Sequence, residues 1–268
     1  MDDLYRQLTA ALEGCSVGNR LLCVDSIDST NTEAKRQAAQ GADEGLVILS
    51  RHQRAGRGRA GRSFHSPAGL GLYLSALLHP KLPAEAVVNF TAWTAVAMCD
   101  AIEAACGVRP QIKWTNDLVL GGKKLCGILT ELALNQATGA LDYLVVGVGI
   151  NVNHRPADFP EEIRSIATSL SMELGRPVDY AQLALQVILA LDRLYARFPQ
   201  DKAACLEQYR ADCLTVGKQV QLITPSTVRE AVATGIDEDF RLLVKYPDGT
   251  AEAVSTGEVS VRGMYGYV

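Results

Sequence analysis

The 268-residue chain lacks the marks of several large protein classes. No run approaches the roughly 18 uninterrupted apolar residues that a membrane-spanning helix needs. The first residues, MDDLYRQLTA, are acidic and amphipathic, unlike the basic-then-apolar start of a secretory signal. Positive charge is not in excess. The 26 Lys and Arg stand against 30 Asp and Glu, for a net charge of −4, so the molecule as a whole is not an electrostatic binder of nucleic acid. The seven cysteines form no C-x-x-C pair, and their number is odd. A disulfide framework is not expected, and a reduced, cytoplasmic setting is. The four histidines (His52, His65, His79, His154) share no ligand spacing, so no structural zinc is expected. What the chain does have is 48% hydrophobic residues, enough to build a core. Its length suits one mid-sized domain with a small appendage.

Residues 1–14 read as an amphipathic helix, 21–26 as a strand and 31–40 as a helix. Thr30 and Glu33 match a capping box there, and Gly41 is a natural stop. Strands are expected at 46–50, 70–79, 109–114, 124–134 and 142–153, with the third and fourth flanking a turn at Gly121–Gly122. One helix is expected over 84–106, and mostly helical chain over 161–174 and 180–213. From 214 onward the pattern becomes short alternating strands with turn signals, of which Asp248–Gly249 is the clearest. A domain break near 214 follows, with a small β-barrel after it. The larger part lacks regular βαβ alternation, which points to α+β with a mostly antiparallel or mixed sheet.

Four segments carry possible chemistry. RHQRAGRGRAGR (51–62) places five arginines and three glycines in an otherwise acidic protein. Glycines let the backbone approach a ligand, and guanidinium forks suit phosphate or carboxylate. The loop has neither the Gly-Lys-Ser/Thr end of a Walker A loop nor the dinucleotide fingerprint. It reads equally as a solvated basic loop or an RNA-binding tract, although no aromatic lies between 51 and 63. KWTND (113–117) with GGKKLCGIL (121–129) clusters Lys113, Asp117, Lys123 and Lys124 around a turn. Asp117 can hold a lysine or Mg²⁺, and a lysine can offset charge on a reacting phosphate. A plain charged hairpin accounts for them as well. GVGINVN (147–153) can present an amide to a heterocycle, or simply end a strand. Ser29 and Thr30 in DSTN (28–31) are natural N-cap residues.

In combination and in this order, the segments resemble biotin–protein ligases. The resemblance rests on IDSTN (27–31), QRAGRGRAGRSFHSP (53–67), GLYLS (71–75), KWTND, KKLCGIL (123–129), GVGIN (147–151), IATSL (166–170) and GEVS (257–260). It implies a catalytic domain over 1–213 like class II aminoacyl-tRNA synthetases, with a mixed sheet and flanking helices. An SH3-like barrel would follow over 214–268. It also implies ATP-dependent ligation of biotin to a carrier lysine through biotinyl-5′-AMP, with ATP, Mg²⁺ and biotin required. The first motif begins at Ile27, which leaves no room for the N-terminal DNA-binding domain of some members, so the enzyme-only type is expected.

By the same resemblance, Ser29, Thr30, Asn31, Gln53, Gly56, Arg57, Arg59, Lys124 and Gly127 bind biotin. Arg57, Arg59, Arg62, Lys113, Asn116, Asp117 and Asn151 bind ATP or the adenylate. Lys124, Arg59 and Arg62 are the catalytic set, with Lys124 rather than Lys123 in the family's lysine position. Asp117 is the metal ligand, and 153–166 is a second mobile loop. The implied partner is a biotin carboxyl carrier domain of acetyl-CoA or pyruvate carboxylase, without DNA or membrane, and homodimerisation is a family tendency. Two residues depart from the pattern: Phe64 stands where members usually have Trp, and Thr115 where they usually have Pro. The alternative is a lipoate–protein ligase or related acyltransferase, which the arginines at 57, 59 and 62 argue against.

Overall fold

Apolar residues at every second position of the central strands sort the chain into a sheet with two buried faces. The computed structural model describes residues 1–224, 226–255 and 260–263. In chain order its elements begin with α1 (Asp2–Ala11), β1 (Arg20–Val24), α2 (Thr30–Ala39), β2 (Leu46–Ser50), β3 (Gly71–Leu78) and α3 (Phe90–Cys106). There follow β4 (Gln111–Lys113), β5 (Asp117–Leu120), β6 (Lys123–Leu134) and β7 (Leu141–Asn151). Four helices come next: α4 (Glu161–Arg164), α5 (Leu170–Leu174), α6 (Tyr180–Arg197) and α7 (Lys202–Asp212). The last strands are β8 (Gln219–Ile223), β9 (Val228–Ile236), β10 (Leu242–Lys245), β11 (Ala251–Val254) and β12 (Ser260–Gly263).

Seven strands form a mixed sheet in the order β1-β2-β3-β7-β6-β5-β4. Only β1 and β2 run parallel, joined through α2; the other pairs are antiparallel. Leu72, Leu74, Ala76, Val146, Val148 and Ile150 face the main core, which α3 and α6 complete. The alternate residues Leu77 and Val145 face α2 with Ile48 and Ala34. Beyond the N-terminus of α2, that second face is covered by loops and the short α4 rather than by a long helix, and there Gly127, Leu129, Gly147, Gly149 and Asn151 become available for a site.

The α+β class with a mixed sheet is as the sequence indicates, and several local expectations change. The N-cap of α2 is Ser29, one residue before Thr30, with its hydroxyl accepting from the Thr32 N–H. Glu33 forms no capping box, because its carboxylate takes Arg36 and Gln37 instead. The 84–106 helix is two pieces: a 3₁₀ turn at Ala84–Val87, then α3 from Phe90. A strand was missed. DLVL forms β5, and Gly121–Gly122 turns β5 into β6 rather than β4 into β6. Its four residues are too few to show a period beside a turn. The 180–213 helix breaks into α6 and α7 around Pro199, which cannot continue a helix.

After residue 214 five strands form an antiparallel sheet, β11-β10-β9-β8-β12. The Asp248–Gly249 turn joins β10 to β11 as expected, with Gly249 at φ 88°. Of the GEVS segment, residues 257–259 lie outside the described residues. No helix among the described residues is long and apolar enough to cross a membrane.

The two sheets meet at Trp114. Its backbone N–H donates to the Thr215 hydroxyl (2.9 Å) and its indole N–H to the Phe240 carbonyl (2.9 Å). Phe240 is held at φ 58°, and its buried ring meets Tyr209 edge-on at 5.4 Å. The Asp237 carboxylate accepts from the Asp239 and Arg241 N–H groups, which fixes the turn that offers this carbonyl. One contiguous apolar cluster runs through both sheets. Trp114→Phe removes the indole N–H, leaves the Phe240 carbonyl unpaired and opens space where the larger ring stood, so a loss of at least about 1–3 kcal/mol is expected. Equilibrium urea unfolding measures it, and an unchanged midpoint would mean that the indole bond contributes nothing.

Candidate functional site

Three registers of the sheet set out the site. Ser75, Gly147 and Leu129 lie opposite one another on β3, β7 and β6. Next come Tyr73, Gly149, Gly127 and, on β5, Asp117. Gly71 and Asn151 pair beyond them. Side chains opposite one another share a face, so Gly147, Gly149 and Asn151 follow one another along one side of β7. At ~3.3 Å per residue that line is about 13 Å long.

The two glycines are needed for close approach, not for an unusual φ. A Cβ at Gly147 would stand 2.0 Å from Asn31 Oδ1, and one at Gly149 would stand 2.6 Å from the Phe64 ring. Phe64 therefore lies directly on the strand backbone, with Tyr73 edge-on at 6.4 Å. Above this floor is a recess of about 490 Å³.

One end of the recess is a polar pocket. The Thr30 N–H and hydroxyl both donate to Gln53 Oε1 (2.9 and 3.1 Å), and the Gln53 amide donates to the Ser66 hydroxyl (3.0 Å). The Ser75 hydroxyl donates to Asn31 Oδ1 (2.6 Å) and touches Thr30 Oγ1 (2.7 Å). With Ser29 already capping the helix, Thr30 and Asn31 are left for the pocket.

The other end is cationic. Arg59, Arg62, Lys113, Lys124 and Arg262 line it, Arg57 lines the recess nearer Glu131 and the polar pocket, and Asp117 is the one carboxylate among the described lining residues. The Lys124 ammonium donates to Asp117 Oδ1 at 2.8 Å. Arg59 donates to Asn116 Oδ1 (3.0 Å), and the Asn116 amide donates to the Ile128 carbonyl (3.1 Å). Lys113 is 7% exposed. Burial pushes its ammonium down to about 8, with Lys124, Arg262 and Arg62 adding to the effect and Asp117 opposing it. Burial likewise lowers the Arg59 guanidinium from its ordinary value.

Residues 153–169 cross the open side. Phe159, Ile163, Ile166 and Ala167 line the recess from this segment. Its far end pairs with β6 through Lys124 N–H to Ile166 O (2.8 Å) and Thr168 N–H to Lys124 O (2.9 Å). The Asn151 amide donates to the Thr168 carbonyl (2.9 Å). Its near end meets the arginine loop, where His65 Nε2 lies 3.0 Å from the Asp158 carbonyl.

With this geometry in place, the comparisons with known proteins are specific. Residues 23–151 match the Biotin/lipoate A/B protein ligase family, and 215–262 match the Biotin protein ligase C terminal domain. The chain is 33% identical over 240 residues to the bifunctional ligase/repressor BirA of Bacillus subtilis, covering 89% of this chain and 73% of that one. It is 32% identical over 262 residues to the biotin--[acetyl-CoA-carboxylase] ligase of Mycobacterium tuberculosis, covering 95% and 94%. The chain belongs to the biotin protein ligase family. Among solved structures, the biotin protein ligase from Aquifex aeolicus in complex with biotin and ATP is similar at 28% identity. Its TM-score is 0.78, over 91% of this chain and 99% of that one.

In this family member the residues singled out from sequence fall in one place. Ser29, Thr30, Asn31, Gln53, Arg57, Arg59, Arg62, Lys113, Asn116, Asp117, Lys124, Gly127 and Asn151 all line the recess. Gly56 does not. It sits at the neck of the arginine loop, where a Cβ would stand 2.4 Å from the Phe64 carbonyl, and its own carbonyl accepts from the Phe64 N–H. Lys123 stays outside, and Lys124 faces in. Sequence reasoning missed Ser75, Glu131, Arg262 and His65 as neighbours of the site. Ser75 had a readable signal, a polar residue in the otherwise apolar GLYLSALL. Among the described residues no group of three or more His, Cys, Asp or Glu could hold a metal ion.

His154 opens the crossing segment. It is fully buried and stacked on Phe159 at 4.8 Å, and neither ring nitrogen has a hydrogen bond of normal geometry. Burial lowers its pKa to about 4, helped by His65 and opposed by Asp158. The unfolded chain, with a histidine near 6.5, thus binds the extra proton first. Stability is expected to be full above about pH 6.5 and to fall by roughly 3 kcal/mol as pH drops to about 4. His154→Phe should flatten that acid limb in urea unfolding at pH 7 and 4.5. An identical slope in the variant would assign the loss to other groups.

Proposed function

We propose that this protein joins biotin to a lysine of a biotin carboxyl carrier domain, with ATP activating the biotin carboxylate. The observation that carries this is the order along one face of β7. A polar pocket, an aromatic-covered glycine floor and a cluster of cations follow one another within a single recess.

The chemistry explains the order. The polar pocket of Thr30, Asn31, Gln53 and Ser75 suits the ureido head of biotin, which both donates and accepts hydrogen bonds. The floor at Gly127 and Gly149 under Phe64 suits an apolar ring and chain. The carboxylate is then delivered to the cations. Two like unit charges ~4 Å apart repel by about 4 kcal/mol at an effective dielectric of about 20. A carboxylate and a triphosphate meet only if such repulsion is offset. Lys124, oriented by Asp117, would neutralise the carboxylate and the α-phosphate together. Lys113, Arg59 and Arg62 would hold the phosphates, with Arg262 at the same end, and Asn151 stands on the nucleotide side.

The carboxylate oxygen bonds to the α-phosphorus as the bond to pyrophosphate breaks. The carrier lysine, as free amine, then attacks the acyl carbon, AMP leaves with the bonding electron pair, and the nitrogen gives up its proton. The Arg57–Ser63 hairpin and the 153–169 segment would shield the mixed anhydride from water between these steps.

A Mg²⁺ ion arriving on a triphosphate needs one or two protein carboxylates and otherwise takes phosphate and water. Asp117 fits that modest requirement, and the ion would supply phosphate charge neutralisation there. The larger sheet with its helices has the character of a class II synthetase-like catalytic unit over 1–213. The smaller sheet fits an SH3-like unit over 214–268. The carrier is proposed to be that of acetyl-CoA carboxylase or pyruvate carboxylase.

Pyrophosphate release on mixing with Mg²⁺-ATP and biotin, with lipoate as control, tests the reading. Release with lipoate alone would move the substrate assignment. Lys124→Ala is expected to slow adenylate formation by about 10²–10³-fold while leaving the fold intact. Normal turnover would remove Lys124 from the reacting centre. Arg59→Gly loses the bond to Asn116 and should let biotinyl-AMP escape, seen as labelling of bystander protein. Labelling confined to the carrier would show that Arg59 does not retain the intermediate.

A further inference from the structure

Glu131 stands on β6, two positions beyond Leu129 and on the same face, yet outside the recess lining. One carboxylate there meets three partners. Oε2 accepts from the Asn31 amide at 2.9 Å. Oε1 accepts from the Lys35 ammonium at 2.9 Å and lies 3.2 Å from an Arg57 guanidinium nitrogen. The Glu131 side chain is 21% exposed, while that of Arg57 is 43% exposed.

Two consequences follow from chemistry alone. The Asn31 amide has two N–H bonds, and both are spent, one on Glu131 and one on the Leu129 carbonyl (3.2 Å). Neither acceptor can donate, so the amide has only one orientation. Asn31 is thereby left with Oδ1, held against Ser75, as the atom it can offer a ligand N–H. Secondly, Arg57 is the first arginine of the hairpin that closes at Arg57–Ser63 and Gly58–Arg62. Its guanidinium ties the base of that hairpin to β6, while Arg59 ties the tip to Asn116. Burial raises the pKa of Glu131, but the bonds from Asn31 and Lys35 and the nearby Arg57 outweigh it, and the carboxyl stays below its ordinary range. The anion is thus present across the neutral range.

We infer that Glu131 is a positioning residue that sets the orientation of Asn31 and seats the arginine loop, so that one carboxylate links the polar pocket to the loop over it. The part that concerns biotin rests on the function proposed above; the part that concerns the loop does not.

The test uses the full chain with Glu131→Gln, which keeps the shape and removes the charge, and Glu131→Asp, which keeps the charge on a shorter arm. Without ligand, trypsin should cut at the loop arginines about fivefold faster in Glu131→Gln than in wild type, with Glu131→Asp between them. Raising NaCl to about 0.5 M should speed cutting of the wild type part of the way toward that of Glu131→Gln, whose own rate stays flat, because salt screens a pair whose Arg57 side is open to solvent. In calorimetry, biotin should bind Glu131→Gln about tenfold more weakly, with the maximal rate of adenylate formation held within about threefold. The thermal midpoint separates this from simple unfolding and is expected to move little. Equal tryptic rates in wild type and Glu131→Gln at low salt would overturn the inference whatever the substrate is. Faster cutting with biotin affinity unchanged would overturn its Asn31 half. If wild type binds no biotin, the functional reading fails, and the tryptic comparison still decides the loop.

Discussion

Everything at this site depends on places where the sheet carries no side chain. Gly127 and Gly149 face each other across β6 and β7, and Gly147 lies one step along. A methyl group at 147 or 149 would collide with Asn31 or Phe64. Strand glycines ordinarily weaken a sheet, since they bury nothing and lose more chain entropy. Here they sit on a strand held on both sides by long ladders to β3 and β6, which offsets that cost. The recess is thus made by omission, with its walls supplied by elements far apart in sequence.

The second constraint is electrostatic. Six cations share one recess in a protein of net charge −4. Their mutual repulsion shows in the lowered pKa of Lys113, where neighbours add to the effect of burial. What holds them apart and aimed is a set of fixed oxygens: Asp117 for Lys124, Asn116 for Arg59 and Glu131 for Arg57. The repulsion that remains is relieved by anionic ligands, so the site is poised for phosphate and carboxylate before either arrives.

Much of this was readable from residue order. The period of two in GVGIN puts 147, 149 and 151 on one face, and the helix after DSTN forms as expected, although Ser29 caps it and not a Thr30–Glu33 box. The arginine loop reaches the same recess as KWTND and KKLCGIL, but strand parity from Gly127 and Leu129 would turn Lys123 inward, and Lys124 faces in only because the β5–β6 register shifts between Leu118 and Val119. Other parts were not legible, for physical reasons. Ser29 and Thr30 are both good caps, and only the hydrogen bonds of Thr30 to Gln53 decide between them. β5 is too short to show a pattern. Glu131 sits in TELAL, where alternation makes it look like an ordinary solvent-facing residue, and its partners lie 74 to 100 positions away.

The bond from Trp114 to the Phe240 carbonyl spans 126 positions of chain. Trp114 is the neighbour of Lys113 and sits at the turn that carries Asn116 and Asp117. A growing polypeptide completes all seven strands of the large sheet well before Phe240 is made. The cations beside Trp114 therefore receive their final support late in synthesis, after the floor and the polar pocket can already have formed. The order of the chain thus makes the cationic end of the site the last part to mature.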